Sequence, residues 1–141
     1  MPHLRRLVGA TVLVAAVTLG ACVQPGAPSV CTAPLKPAIE LDLYFGRDKQ
    51  GGGEVSEAEW AAFLVDVVTP RFPDGLSVLD VTGQAREPSG SIVRERTKLL
   101  VVVVFDAPAH QAKTREIVEA YNKRFGQRSV FRTERPVCAG L

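Results

Sequence analysis

Histidine is nearly missing from this chain. Only His3 and His110 occur, and His3 falls in a segment expected to be removed. That scarcity argues against a histidine-built metal site, and no recognisable Ser/His/Asp or Cys/His constellation is present. His110 stands alone beside a helix start and reads as an exposed residue without a partner. Aromatic residues are few, at 6%, and the one tryptophan, Trp60, lies at core spacing on a helical pattern. Long apolar runs are missing as well. Beyond the N-terminus the longest is residues 99–105, far short of the ~20 residues a membrane helix needs. There is no charge excess of either sign. The 17 Lys and Arg face 15 Asp and Glu, and loss of residues 1–21, which hold Arg5 and Arg6 but no acid, leaves 17 − 2 = 15 against 15. A neutral domain offers no electrostatic footprint for nucleic acid. The glycine run 51–53 lacks both phosphate-binding registers, Walker and Gly-x-Gly-x-x-Gly, and reads as a solvated loop. No metal and no cofactor are expected.

What is present begins with an export signal. Arg5 and Arg6 precede the apolar residues 7–19, a length of the ~7–15 residues usual for a signal core. Leu19-Gly20-Ala21-Cys22 then resembles a bacterial lipobox, in which Cys22 is acylated and the chain is cut before it. The alternative is an ordinary secretory signal cut near Ala21. Lipidation of Cys22 leaves Cys31 and Cys138, an even pair that in an exported protein is expected to form a disulfide. The chain divides into a lipoprotein signal peptide at 1–21, a proline-rich tether at 22–37 and one folded domain at 38–141. The expected location is a bacterial membrane, on its periplasmic or cell-surface side.

Within the domain, Ile39, Leu41, Leu43 and Phe45 alternate with polar residues and predict a first strand. Ser56 and Glu59 form a capping box, with Val55 and Trp60 at the staple positions, opening a helix that Pro70 stops. Residues 76–86 predict a second strand, 87–91 a hairpin loop and 92–105 a long third strand. Asp106 is the expected cap of a second helix ending at Gly126, and 129–134 a short fourth strand. The order β-α-β-β-α-β is the ferredoxin-like α+β pattern: a four-stranded antiparallel sheet with two helices on one face.

Strand three is apolar at both parities, so the face without helices needs its own cover. Leu100, Val102 and Val104 are expected on that face. A second copy, sheet against sheet as in dimeric α+β barrels, is the simplest cover. If the face is instead a cavity, strand parity predicts Asp42, Tyr44, Asp80, Thr82, Gln84, Leu100 and Val102 as its lining, an apolar wall with a few polar groups. The same polar residues read equally as a solvated face or dimer rim.

Leu43-Tyr44-Phe45-Gly46-Arg47, Val55-Ser56-Glu57-Ala58-Glu59-Trp60, residues 69–76 (TPRFPDGL), Gly83-Gln84, Lys98-Leu99-Leu100 and Cys138 together resemble the domain-of-unknown-function 3574 family of small bacterial lipoproteins. The resemblance spans roughly residues 41–138. It carries no catalytic residue, because the family has no established activity. Two functions follow as expectations: a lipid-anchored binding or structural module of the cell envelope, or a small barrel enzyme using Tyr44 with Asp42 or Asp80 on an apolar or aromatic compound.

Overall fold

The computed structural model describes residues 30–141. The signal segment, Cys22 and the first part of the tether lie outside the described residues. The elements are β1 (Lys36–Gly46), α1 (Glu57–Phe63) continued by a π-helical turn (Leu64–Val68), β2 (Ser77–Arg86), β3 (Ile92–Val104), α2 (His110–Phe125) and β4 (Phe131–Ala139). The sheet order is β2-β3-β1-β4 with every neighbouring pair antiparallel, the ferredoxin-like arrangement expected. Strand one starts at Lys36, two residues inside the expected tether. Strand four runs on through Pro136, which an edge strand tolerates because its missing N–H need not bond a neighbour.

Local chemistry explains the helix ends. Ser56 Oγ accepts from the Glu59 N–H while the Glu59 carboxylate accepts from the Ser56 N–H, so the capping box is formed. Helix α2 does not start on Asp106. Its N-cap is Ala109, without a side-chain cap, and Asp106 instead pairs with Lys113 at 2.5 Å. Gly126 closes α2 with φ 66°, the left-handed conformation glycine adopts without penalty.

The core is aromatic and sits between sheet and helices. Phe45, Trp60, Phe63, Tyr121 and Phe125 form one cluster with ring centroids 4.7–6.1 Å apart. Register sets which side of β3 joins it. Leu41 lies opposite Val102 and Leu43 opposite Leu100, and residues directly opposite share a face. Leu100, Val102 and Val104 are therefore core residues, buried with Leu41 and Leu43. This corrects the expectation that they project from the helix-free face. That face carries Leu99, Val101 and Val103 instead.

Cys31 and Cys138 are disulfide-bonded with Cα atoms 5.6 Å apart, as expected. The bond ties the segment before β1 to the end of β4. A disulfide is compatible with an exported protein. Among the described residues no helix is long and apolar enough to cross a membrane. At the opposite end of the sheet β1 stops at Gly46, paired with Thr97. Beyond it the five rungs from Thr82↔Arg96 to Arg86↔Ile92 carry two strands only, a ribbon that projects past the layered body.

Candidate functional site

The expected lining residues do not come together on one surface. Leu100 and Val102 are in the core, as register requires. Asp80 lies opposite Lys98, and Lys98 opposite Phe45, so Asp80 is on the helix side of the sheet. There it joins an ion-pair network. Lys98 Nζ lies 2.6 Å from Asp80 and 2.7 Å from Glu57. Arg47, 3% exposed, reaches Glu54 and Glu57 at 2.6 Å and donates to the Val55 carbonyl through Nε and Nη2. Two buried cations are thus met by carboxylates that stay in contact with water. The hydrogen bond from Lys98 holds the Asp80 carboxyl below its ordinary range, and Lys98 followed by Arg47 does the same for Glu57. Burial opposes the charge on Lys98, but Asp80 and Glu57 outweigh it and raise its pKa. An acid–base role expected of Asp80 would need a carboxylate raised by burial; this one is pinned and ionised.

Asp42 is on the helix-free face but committed elsewhere. It accepts from Arg135 Nη1 at 3.2 Å and from the Thr133 hydroxyl at 3.3 Å. Arg47 and Arg71 do not serve this face either. Arg71 pairs with Glu116 at 3.0 Å and donates to the Val67 carbonyl. His110 differs from its expected exposed state. It is 3% exposed, with Nε2 2.9 Å from Gln111 Nε2 and 3.5 Å from Glu134.

Tyr44 is the expected residue that marks a site. Its ring lies 5.5 Å from that of Phe131, its partner across β1 and β4. Phe131 is 66% exposed, too much for a core aromatic. The two rings flank an open groove of about 910 Å³ where β1 ends and the ribbon begins. Val81 at the base of the ribbon and Ala85 and Val93 on it form the other wall, with Glu95 and Thr97 beside Gly46. Thr82 and Gln84 also line it, and Gln50, Gln127 and Arg128 complete the rim. No histidine or cysteine lines the groove.

One glycine permits this geometry. Gly46 has no side chain where one would overlap the Glu95 carboxylate, so Glu95 lies directly over the end of β1. Gly83 on the ribbon is not so constrained, since a Cβ there would meet Thr97 Oγ1 only at an ordinary 4.0 Å. A glycine inside a strand pattern signals such close approach, and this was the readable trace of the site. Glu95, Thr97, Val93 and Phe131 were not anticipated. Behind the groove the Gly46 carbonyl accepts from Tyr121 Oη at 2.9 Å. Burial raises the Tyr121 pKa against the pull of Arg47, so the phenol remains a neutral donor.

Comparison with known proteins gives a family and a fold. The family model described as "Protein of unknown function (DUF3574)" matches residues 40–141. No curated protein matches the chain. Among solved structures, the chain is similar to a phage SAM lyase in complex with S-methyl-5'-thioadenosine, at 13% identity and TM-score 0.52, covering 72% of this chain and 90% of that one. It is also similar to a phage SAM lyase in the apo state, at 12% identity and TM-score 0.54, covering 74% and 86%. At these identities the likeness is one of fold.

Proposed function

This chain belongs to the DUF3574 family of unknown function, and from that premise we propose that it is an exported, lipid-anchored module of a bacterial cell envelope whose open groove binds a small, partly apolar molecule. The observation that carries the binding role is the groove itself: an aromatic pair, Phe131 exposed and Tyr44 partly buried, beside aliphatic side chains and open to solvent. The lipobox at Cys22 and the Cys31–Cys138 disulfide support the envelope location. Acylation of Cys22 fixes the domain to the membrane, and the proline-rich segment after it spaces the groove from the bilayer.

The same sheet face supports a homodimer. Leu79, Leu99, Val101 and Val103 form an aliphatic stripe away from the helices, and Leu79 and Val103 are exposed. A second copy laid sheet against sheet covers that stripe twice through one self-complementary contact.

The enzyme reading has less support. Of its acid–base groups, Asp42 is bonded to β4 and Asp80 to Lys98 on the other face, which leaves Tyr44 alone in the groove. The phage lyase likeness adds a shared fold, on which many unrelated activities occur.

Native mass spectrometry of the full chain purified from envelopes tests the binding role. A small-molecule adduct that is lost in Tyr44→Ala/Phe131→Ala is the expected result. Full chain that carries no adduct, or the same adduct with both rings removed, overturns it.

A further inference from the structure

We infer that the groove selects an organic cation with a flat apolar body, held by the Glu95 carboxylate and the Tyr44–Phe131 ring pair. This deepens the binding reading above and rests on it. The argument starts from Glu95. Nearly every other acidic side chain of the domain that approaches the sheet is matched: Asp80 and Glu57 by Lys98, Glu54 by Arg47 and Arg96, and Asp42 by Arg135. Glu40 is matched by Arg135 too. Glu95 has no hydrogen-bond or ion-pair partner among the described residues, although it is partly buried and seated against Gly46. An unmatched carboxylate beside apolar side chains offers a cation entering the cleft a charge partner that no side chain of the protein already occupies.

The surroundings narrow the class. Tyr44 and Phe131 bring two aromatic rings to the lining, and aromatic rings attract a cation through the quadrupole and an apolar body through contact. Val81, Ala85 and Val93 of the other wall suit a flat hydrocarbon or heteroaromatic portion, not a hydrated metal ion. Arg128 is the one cation of the lining; it is exposed at the rim, whereas Glu95 is partly buried. Of the two charges in the lining, the less exposed is therefore the negative one.

Isothermal titration of the full chain in a maltoside detergent tests the assignment, with benzyltrimethylammonium and benzoate as aromatic probes of opposite charge. The expected result is tighter binding of the cation, weakened about ten-fold or more in Glu95→Gln, a loss of about 1.4 kcal/mol. Benzoate affinity should be unchanged or improved in that variant. Should Glu95→Gln fail to fold, Gly46→Ala serves instead, since its methyl displaces the carboxylate and should bring the same loss. Equal cation affinity in wild type and variant, or a preference for benzoate through Arg128, overturns the cation assignment while leaving the groove a binding site. No binding of either probe at millimolar concentration overturns both.

Discussion

Adjacent valines on β3 provide the sharpest test of how this sheet is oriented. Val102 is 2% exposed and faces the aromatic core, whereas Val103 is 38% exposed on the helix-free face. Val→Ala removes two carbon groups, worth about 1.6 kcal/mol of transfer free energy when fully buried. At position 102 the hole stays enclosed between Leu41 and the helices, so a cavity cost adds to it and the expected loss is about 2–3 kcal/mol. At position 103 over a third of the side chain already meets water and the hole opens to solvent, so about 1 kcal/mol is expected. Aspartate widens the contrast. Val102→Asp places an unpaired charge in the core and should give no folded protein, while Val103→Asp should remain folded. Urea denaturation followed by circular dichroism measures all four variants. Equal losses at 102 and 103, or a larger loss at 103, would refute the register on which the groove and the core assignment both rest. Should the stripe be a dimer contact, the cost of Val103→Ala will rise with protein concentration, whereas that of Val102→Ala will not.

Other expectations are shorter to state. Cys22→Ser should move the protein from the detergent phase to the aqueous phase; unchanged partitioning would sink the lipid anchor. Replacing both Cys31 and Cys138 with serine opens a closed loop of sequence separation 107 and should cost about 2–5 kcal/mol, read from the urea midpoint. Hydrogen bonds from Lys49 and from the Ser56 N–H and hydroxyl lower the Glu59 pKa from 4.5 to about 2. A depressed carboxylate stabilises the fold above its unfolded value and loses that effect as pH falls through the folded one. The stability gap between wild type and Glu59→Gln should therefore be full above pH 4.5 and shrink toward pH 2. Removing Asp80 and Glu57 together by Asp80→Asn/Glu57→Gln strands Lys98 in the interior, so it should cost more than Lys98→Met, which leaves only solvated carboxylates behind; the reverse order would show that Lys98 gains nothing from them.

The strand order, the capping box and the disulfide were legible because each rests on local chemistry or simple counting. Ile39, Leu41, Leu43 and Phe45 alternate cleanly, and Ser56 with Glu59 is a spacing signal. The orientation of β3 was not legible. Leu99 to Phe105 are apolar at both parities, so no alternation exists to read, and only pairing with β1 decides. Lys98 misleads further: it shares a side with Leu100 and Val102, and a lysine there suggests solvent. Two carboxylates from β2 and α1, distant in sequence, make its burial tolerable. The groove was half legible. Tyr44 lay on the correct face, but Glu95 and Phe131 meet it only through pairings across three strands.

The two-stranded ribbon beyond Thr97 makes the groove unequally stiff. Tyr44 and Phe131 stand on β1 and β4, a pair clamped at its far end by the disulfide. Val81 stands at the base of the ribbon, and Ala85 and Val93 stand on rungs that no third strand supports. A free two-stranded hairpin is barely stable in water, so that wall yields while the other holds. Spreading the groove then bends the ribbon and disturbs no core contact. Binding strength should consequently change gradually across molecules of increasing width, without a sharp size limit. Each occupant should slow hydrogen exchange along residues 82–96 and leave β1 unchanged.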